Sequence, residues 1–488
     1  MKATHHRAIP KSVSHFEQWC RATSLPGLVE LCTRTNRWAR LFWAIVVLTL
    51  YLAFSSVTAA SLLHYFESPH FSTEMRQVLE KPEFPQITIC NKNSINYTMA
   101  IEHGLTPFVI SALMFARGWF QKSLVLAVQP DVEEDIHQEW VQFYSNPPDN
   151  ITTNVFELLR LFVHSCQETF VACEINYYNL PFDCCSNAQL IPIPRNGFCW
   201  RLTVPELVSG NPDQIYRPPT NGLFYGVSVR LNPEMAYYPP DMLPGEYMVA
   251  GFSISLGYNQ TYLDNVLNVN KGSRALVVLK PVATEYGVAW FRPFPLRCTL
   301  QPNLTYAEGQ YTQSLCNLDC LIGYQMSNYG CTTVFTTLRS DLQQHISYCN
   351  MSDTRNTKDF DTERRNRIDD SCEQMCKPPC GRIKGVDYKT VVEPMFDVND
   401  KEWVNKFYQH FDPLTNLTAT ELMDQVIVDL FFESVTLVVT YTADKVAVSD
   451  LFARIGGLMG LFLGASVVSV IQAIWYFGEW LREATNSS

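Results

Sequence analysis

The chain has 488 residues, of which 17% are charged, and its formal net charge is -11 at pH 7. This negative balance argues against nucleic acid as a partner, because the phosphate backbone selects basic surfaces. Hydrophobic residues make up 47% of the chain, and two apolar stretches stand out from an otherwise mixed sequence. We therefore expect local membrane segments attached to a large water-exposed part.

The first apolar stretch, Leu41 to Leu63, contains 23 residues and no charge. A helix of that length crosses a hydrocarbon core of roughly 30 Å at about 1.5 Å per residue. Residues 1–40 carry seven basic and two acidic side chains, a bias that predicts a cytosolic N-terminus. We therefore predict a cytosolic segment at 1–40 and a first transmembrane helix at 41–63.

The second apolar stretch, Ile455 to Phe477, lies between Arg454 and Glu479 and also contains 23 uncharged residues. Two spans return the chain to the side on which it began. Residues 64–454 are then extracellular, 455–477 form the second transmembrane helix and 478–488 are a cytosolic C-terminus. The sequence thus predicts a multi-pass protein of the plasma membrane with both termini in the cytosol.

Cysteines and glycosylation signals support this division independently. Fourteen of the 16 cysteines lie between the two apolar stretches, an even number that seven disulfides would close. The same interval contains six Asn-x-Ser/Thr glycosylation signals, at Asn96, Asn150, Asn259, Asn303, Asn350 and Asn416. A seventh signal, at Asn486, lies in the predicted cytosolic tail, where we expect no glycan.

The second apolar stretch is rich in glycine. Gly456, Gly460 and Gly464 recur every four residues, a spacing of close helix–helix contact that a packed dimer of anchor helices would also show. The step Gly464-Ala465-Ser466 favours a pore, because it offers flexible backbone and a hydroxyl at mid-membrane. Carbonyls are tolerated there only if they are buried or line water, and carbonyls around an axis can replace an ion's hydration shell.

Four features in chain order resemble one channel family. Gly456 to Ser466 is similar to the pore helix of the degenerin / epithelial sodium channel / acid-sensing ion channel family. Phe84 to Asn91 resembles the family's signature after its first membrane helix, and Val426 to Glu433 resembles the strand that leads back to the membrane. The Cys-x3-Cys spacings are similar to those of the family's disulfide-stapled thumb, and they fall at Cys316, Cys320, Cys372, Cys376 and Cys380.

The resemblance implies a two-pass α-helical pore and a large, disulfide-rich α+β extracellular domain. That domain would have a β-sheet palm and β-ball with helical finger, thumb and knuckle regions. The second membrane helices would line a pore on the axis of a homotrimer, or of a heterotrimer with related subunits. Gly464, Ala465 and Ser466 would form the selectivity filter. The implied partners are membrane lipid and sodium ions, and no cofactor is implied.

The same resemblance pairs ten cysteines: Cys90 with Cys199, Cys298 with Cys380, Cys316 with Cys376, Cys320 with Cys372, and Cys331 with Cys349. For the other four, Cys166, Cys173, Cys184 and Cys185, the sequence leaves all three connectivities open. Zinc binding is the alternative for the Cys-x3-Cys cluster, but zinc sites favour Cys-x2-Cys spacing with histidines nearby. We expect structural disulfides and no metal site.

Before its first membrane helix the family carries a His-Gly dipeptide that controls gating, and this chain has Pro26-Gly27 in its place. Proline fixes φ and removes a hydrogen-bond donor. The change is expected to keep a bent loop while altering how readily the pore opens.

The positions predicted to line the pore or its gate are Ala453, Arg454, Gly457, Gly460 and Gln472. Ala453 matches the small position of the family at which a bulky side chain holds the pore open. Arg454 stands where acid-sensing relatives have aspartate, so a trimer would carry a ring of three positive charges unless these side chains extend away from the axis. Gln472 stands where many relatives have glutamate. Both changes predict monovalent conduction with little calcium permeability.

The sequence says less about what opens the pore. His70 lies just outside the first span, near where acid-sensing members carry histidine, and its charge changes at about pH 6.5. A lone histidine is more often an ordinary surface residue. By resemblance, Phe294 would replace the family's wrist tryptophan against Tyr65. Protons, a peptide ligand and constitutive opening are all left open as gating modes.

These patterns predict a subunit of an amiloride-sensitive, sodium-conducting cation channel gated from outside. The alternative is a two-pass binding receptor of the scavenger-receptor type, which shares the topology, glycans and disulfides but does not need a Gly-Ala-Ser step in its second span. An ATP-gated channel would need a lysine-rich triphosphate site, which we do not find. An enzyme is not expected, because the chain has no His-Glu-x-x-His, Gly-x-Ser-x-Gly or phosphate-loop motif.

Overall fold

A computed structural model describes residues 26–66, 70–79, 81–118, 130–194, 196–207, 210–238, 250–258, 265–286, 298–299, 303–332, 336–339, 341–342, 346–349, 369–395, 424–444 and 448–486. The chain divides into two compact units. The membrane-segment unit comprises Met1–Ser72, Gly287–Pro295 and Thr442–Ser488, and the sheet unit comprises Thr73–Tyr286 and Leu296–Tyr441.

The strands are β1 (His70–Val78), β2 (Gln86–Asn91), β3 (Phe170–Ile175), β4 (Leu180–Phe182), β5 (Ala188–Ile193), β6 (Gly197–Leu202), β7 (Pro205–Glu206), β8 (Asn211–Ile215), β9 (Val227–Leu231), β10 (Gly251–Gly257), β11 (Leu267–Asn270), β12 (Ser273–Tyr286), β13 (Gly381–Pro394), β14 (Val426–Phe432) and β15 (Thr436–Asp444). The α-helices are Pro26–Thr33, Arg37–Phe66, Tyr97–Glu102, Pro107–Gly118, Pro130–Ser145, Val155–Leu161, Cys166–Thr169, Gln313–Tyr329, Asp369–Met375, Val448–Leu463 and Val467–Asn486. Short 3-10 turns lie at Tyr177–Asn179, Cys185–Asn187, Leu223–Tyr225 and Met235–Tyr237.

The larger sheet has the order β1-β15-β12-β14-β9-β3-β4, and β13 pairs with β12 outside that path. Strand β12 runs antiparallel to β13 along its whole length and parallel to β14 along its first half. Strand β9 begins only at Val227, after the 3-10 turn Leu223–Tyr225. The strand begins after Gly226, whose backbone is so close to Leu430 that an added Cβ would lie 2.5 Å from the Leu430 carbonyl oxygen.

One hydrophobic core joins the larger sheet to a five-stranded sheet of order β11-β10-β2-β6-β5. Side chains alternate between the two faces of a strand, so every second residue of β12 enters the core, including Ala275, Val277 and Leu279. Residues Ala275 to Leu279 thus lie in a strand at the centre of the sheet. The part of the chain that the structure describes here is an α+β fold rich in sheet and in disulfides.

Four of the described helices between β2 and β3 form a separate core around Trp140 and Leu158. We call residues 97–165 the helical subdomain. Asn96 and Asn154 begin two of its helices, and each side chain accepts hydrogen bonds from backbone N–H groups of the first turn. Such caps satisfy donors that a helix leaves without partners at its start.

Seven disulfides close all fourteen cysteines between the apolar stretches. The five pairings expected from the resemblance occur: Cys90–Cys199, Cys298–Cys380, Cys316–Cys376, Cys320–Cys372 and Cys331–Cys349. The remaining four cysteines pair as Cys166–Cys185 and Cys173–Cys184. A four-residue spacing places Cys316 and Cys320 one turn apart on helix Gln313–Tyr329. Two successive disulfides link that helix to Cys372 of helix Asp369–Met375 and to Cys376, the residue that follows it.

Of the six predicted glycosylation positions, Asn150 and Asn303 are exposed. Asn259, Asn350 and Asn416 lie outside the described residues. Asn96 is only 6% exposed, and its side-chain oxygen accepts a hydrogen bond from the Met99 N–H. This burial argues against a glycan at Asn96, because an attached sugar needs an exposed amide nitrogen.

Helix Arg37–Phe66 contains the predicted first span and is long and apolar enough to cross a membrane. The second apolar stretch differs from the continuous helix that we predicted. It forms two helices, Val448–Leu463 and Val467–Asn486, and the second is bent by 78° relative to the first. By length and composition the bent pair can count as one further span.

A buried carboxylate organises the loop before helix Gln313–Tyr329. Asp319 is 8% exposed and accepts backbone hydrogen bonds from Thr305, Tyr306 and Ala307 at 2.9, 2.6 and 2.7 Å. Charge-assisted hydrogen bonds of this kind are stronger than neutral ones. The loop therefore depends on this one side chain for its position.

We expect Asp319→Ala to destabilise the protein by about 2–4 kcal/mol, because it leaves buried N–H groups without an acceptor. The measurement is the thermal unfolding midpoint of the purified full-length chain in detergent. Asp341→Ala is the matched control, since its carboxylate is 58% exposed and pairs with Arg339 on the surface. Equal midpoints for the two variants would contradict this role of Asp319.

Candidate ion-conduction site

The break in the second apolar stretch falls at Gly464-Ala465-Ser466, the three residues predicted to form the filter. Gly464 has φ +59°, a left-handed conformation that favours glycine. Its N–H donates to the Gly460 carbonyl at 3.1 Å, and the Ala465 N–H reaches back to the Met459 carbonyl at 3.3 Å. The first helix therefore ends with a glycine cap, as helices commonly do.

Ser466 begins the second helix through a reciprocal pair of hydrogen bonds. Its hydroxyl accepts from the Ser469 N–H at 3.3 Å, while the Ser469 hydroxyl accepts from the Ser466 N–H at 3.1 Å. The two hydroxyl oxygens are 3.3 Å apart, and Ser469 is 4% exposed. Ser469 is a residue that our sequence analysis missed, although a Ser-x-x-Ser spacing is a weak form of the capping box.

Polar groups follow the second helix on one side. Ser466, Ser469 and Gln472 are spaced by three residues, which places them on neighbouring positions of a helix surface. The Gln472 side-chain oxygen is buried and has no hydrogen-bond partner among the described residues. A polar row of this kind suits a water-lined or subunit-facing surface, because lipid offers such groups no partner.

The glycine face of the first helix is open within the described chain. A Cβ added at Gly456 or Gly457 would meet no described atom within 4 Å, and one at Gly460 would lie 3.9 Å from the Ala465 carbonyl oxygen. Gly460 thus stands beside the break, whereas Gly456 and Gly457 leave room for a close neighbour. Small residues at helix interfaces in membranes allow such approach.

At the other end of this helix, Leu451 packs with Tyr65 of helix Arg37–Phe66, and Leu62, Val448 and Ile455 surround them. Tyr65 therefore helps to hold the two apolar segments together.

Ala453 and Arg454, the predicted gate and outer-mouth residues, are exposed on the same helix. Asp450 stands one turn before Arg454, at a spacing suited to charge pairing.

Pro26 and Gly27 begin the short helix Pro26–Thr33, and proline suits a first helical turn. A Cβ added at Gly27 would lie 2.7 Å from Val47 Cγ2 on helix Arg37–Phe66, so this close approach requires glycine. Val47 is a second residue that sequence analysis missed, because no local pattern marks a contact between separate helices. The structure thus gives Gly27 a packing role beside helix Arg37–Phe66.

Two of the predicted gating residues, His70 and Phe294, have side chains outside the described residues. His70 is the first residue of β1, and its side chain lies outside the described residues. Phe294 also lies outside them, so its expected contact with Tyr65 stays a prediction.

Comparisons with known proteins identify the family to which this chain is similar. The family model described as "Amiloride-sensitive sodium channel" matches residues 19–476. Acid-sensing ion channel 1C of Danio rerio is 23% identical over 455 residues, covering 91% of this chain and 79% of the relative. The bile acid-sensitive ion channel of Homo sapiens is 21% identical over 467 residues, covering 93% and 84%. Pickpocket protein 28 of Drosophila melanogaster is 23% identical over 283 residues, covering 54% and 44%.

The family match extends over more than nine-tenths of the chain and includes both apolar segments and the Gly-Ala-Ser break. This chain belongs to the amiloride-sensitive sodium channel family, the family of degenerin, epithelial sodium and acid-sensing ion channels.

Proposed function

We propose that the chain is one subunit of a trimeric, amiloride-sensitive channel that conducts sodium across the plasma membrane. Residues 64–454 would lie outside the cell, with both termini in the cytosol. The observation that carries this proposal is the break at Gly464–Ser466 inside an otherwise apolar segment. A helix that only anchors a protein does not require such a break, whereas a pore requires polar groups within the membrane.

The break supplies groups suited to contact a permeating cation. A helix end leaves carbonyl groups without intrahelical partners, and those of Met459 and Gly460 are taken by the glycine cap. Later carbonyls and the Ser466 hydroxyl can replace part of the hydration shell of a sodium ion. Three copies around an axis would close the ring, and the open glycine face at Gly456 and Gly457 provides room for neighbouring helices.

The charge distribution of the second span favours monovalent ions. Arg454 is exposed before the break, and Gln472 contributes a neutral amide after it. A divalent ion is repelled by a positive ring about twice as strongly as a monovalent ion, and a neutral inner ring does not compensate. We therefore propose sodium conduction with little calcium permeability. The gating stimulus would act from outside, as a proton or a peptide, or the channel would be constitutively open.

A two-pass scavenger-type receptor remains the alternative class, but the comparisons do not favour it. The family model describes channels, and two of the three relatives named above are ion channels by their printed names.

The first test is expression of the chain alone in oocytes, with two-electrode current recorded at pH 8 to pH 5 and with amiloride added. We expect a sodium current that amiloride blocks, with calcium currents far smaller than sodium currents. If the wild type is silent, Ala453 is replaced by a bulky residue, which should hold the pore open. Silence of that variant despite surface expression would reject a homomeric channel, and calcium currents comparable to sodium currents would reject the proposed selectivity.

Ser469→Ala should weaken sodium selectivity, because it removes the hydroxyl that accepts the Ser466 N–H. Loss of a helix cap costs about 1 kcal/mol, so we expect the sodium-to-potassium permeability ratio to fall by up to roughly fivefold. Ser469→Thr keeps the hydroxyl and is the matched control. Reversal potentials in sodium and potassium solutions give the ratio. An unchanged ratio in Ser469→Ala would show that the reciprocal cap does not position the filter.

Gly27→Ala should reduce the amiloride-blocked current per channel at the surface, because the new methyl group would lie 2.7 Å from Val47 Cγ2. Val47→Ala removes that methyl partner, so the double variant should recover most of the lost current. The current is normalised to surface protein, in the Ala453-substituted background if the wild type is silent. Additive effects of the two substitutions would contradict direct packing between these positions.

A further inference from the structure

Two helices of the membrane-segment unit are joined by a short connection without regular structure. Residues 34–36 lie between helix Pro26–Thr33 and helix Arg37–Phe66. The helices also approach each other away from this connection, since the backbone of Gly27 lies close to Val47. The chain therefore reverses direction at residues 34–36, which we call the connecting turn.

The surroundings of the connecting turn are basic. Arg34, Arg37 and Arg40 are exposed, and the one acidic residue between positions 26 and 40 is Glu30. The Glu30 carboxylate lies 2.7 Å from the Arg34 Nε. The two side chains are 35% and 57% exposed, so this ion pair contributes little stability and is exchanged at little cost. The turn thus carries a net positive charge that is only weakly neutralised.

Two threonines lie in this basic stretch, and the structure distinguishes them. Thr33 is the last residue of its helix, and its hydroxyl donates to the Val29 carbonyl at 2.7 Å. Thr35 lies outside both helices and is exposed, and its hydroxyl has no hydrogen-bond partner among the residues that the structure describes. Only the second hydroxyl is therefore both accessible and unengaged.

The fold around the turn does not depend on the Thr35 hydroxyl. The Asn36 side-chain oxygen accepts from the Trp38 N–H at 3.0 Å, and the Asn36 carbonyl accepts from the Arg40 N–H at 3.0 Å. Asn36 is therefore the N-cap of the following helix. A group added to Thr35 would displace no hydrogen bond that holds the turn.

These features suit phosphoryl transfer by a kinase that selects basic substrates. Such an enzyme needs an exposed hydroxyl on a segment that can lie extended in its groove, and its carboxylates bind neighbouring cations of the substrate. Thr35 offers this, with Arg34 directly before it and Arg37 two residues after it. Thr33 does not, because it is helical and its hydroxyl is engaged.

We propose that Thr35 is a phosphorylation site of a cytosolic serine/threonine kinase that selects basic substrates, and that the added phosphate takes Arg34 from Glu30. The inference rests on the proposed function for the cytosolic position of the turn. In the reaction the Thr35 Oγ forms a bond to the γ-phosphorus of ATP, and the bond from that phosphorus to the β,γ-bridging oxygen breaks. ADP leaves, and the hydroxyl proton passes to the catalytic base of the kinase.

The phosphate reverses the charge of the connecting turn. It carries a charge of about -1.5 to -2 at neutral pH and three strong acceptor oxygens. A phosphate of this charge competes for the guanidinium of Arg34 better than the exposed carboxylate of Glu30 does. The last turn of helix Pro26–Thr33 then loses its ion pair. The modification therefore acts on the short helix that packs through Gly27 against its neighbour.

The first experiment treats the full-length chain in dodecyl maltoside with the catalytic domain of protein kinase C and MgATP, and locates the phosphate by mass spectrometry. We expect phosphate at Thr35 and none at Thr33. A synthetic peptide of residues 26–40 is the control, because so short a helix is marginal in water and both of its threonines are open to the kinase. Phosphate at Thr33 of the protein, or its absence from Thr35, would overturn the proposal.

Three variants test the role of the neighbouring side chains. Thr35→Ala should abolish incorporation, and Thr33→Ala should leave it unchanged. Arg37→Gln should slow the reaction by roughly tenfold, the value of about one hydrogen bond to a charged group. An unchanged rate in Arg37→Gln would contradict selection through the basic surroundings, and a loss of phosphate in Thr33→Ala would contradict the assignment to Thr35.

The second experiment measures the second pKa of the phosphothreonine by phosphorus NMR, after the reaction has run to completion. Pairing with Arg34 favours the doubly charged phosphate, so this pKa should lie below its ordinary value of about 6 and rise by roughly half a unit in Arg34→Gln. Arg339→Gln removes an exposed arginine of the sheet unit and is the matched control. Equal pKa values in the wild type and Arg34→Gln would overturn the pairing.

The cytosolic position is tested by phosphate analysis of the chain expressed in oocytes, with protein kinase C activated by a phorbol ester and phosphatases inhibited. We expect phosphate at Thr35. Its absence there, when the purified chain accepts it, would overturn Thr35 as a site in the cell and with it the proposed topology. A channel that conducts no current would leave these results unchanged, because none of the measurements uses a current.

Discussion

Hydrocarbon offers no partners to a peptide backbone, so a membrane helix can be interrupted only where the chain itself satisfies the groups that the break sets free. At Gly464–Ser466 it does so from both sides. The glycine cap takes up carbonyls of the first helix, and the two serine hydroxyls take up N–H groups of the second. The carbonyls that these caps leave without partners are the groups to which our proposal assigns contact with a permeating ion. The local hydrogen bonding of three residues therefore decides how the second apolar segment can act.

Features with a local signal could be predicted from the sequence. Uncharged runs predicted both apolar segments, and the Gly464-Ala465-Ser466 step indicated the residues at which the second segment is interrupted. The four-residue cysteine spacing indicated the segments that two disulfides join. The break itself was less predictable, because a run of 23 apolar residues is equally compatible with one continuous helix. The backbone conformation of Gly464 resolves that choice in favour of two helices.

Features that depend on distant contacts had no such signal. Nothing near Asp319 in the sequence indicates that it accepts three backbone N–H groups from the preceding loop, and nothing near Gly27 indicates Val47. The sequence contains no cysteine between residues 97 and 165, so the helical subdomain relies on its apolar core, whereas helix Gln313–Tyr329 is fixed covalently.

The position of β14 has a consequence for biosynthesis. In the sheet it lies between β9 and β12, yet it is the last of the three to be synthesised. The two earlier strands cannot complete the sheet by pairing with each other, so their edges stay open until residues 426–432 arrive. Open strand edges invite aggregation, and pairings over long sequence distances form slowly. The nascent chain thus needs protection by chaperones over most of its length, and a fragment ending before Val426 would be a substrate for quality control rather than a smaller channel.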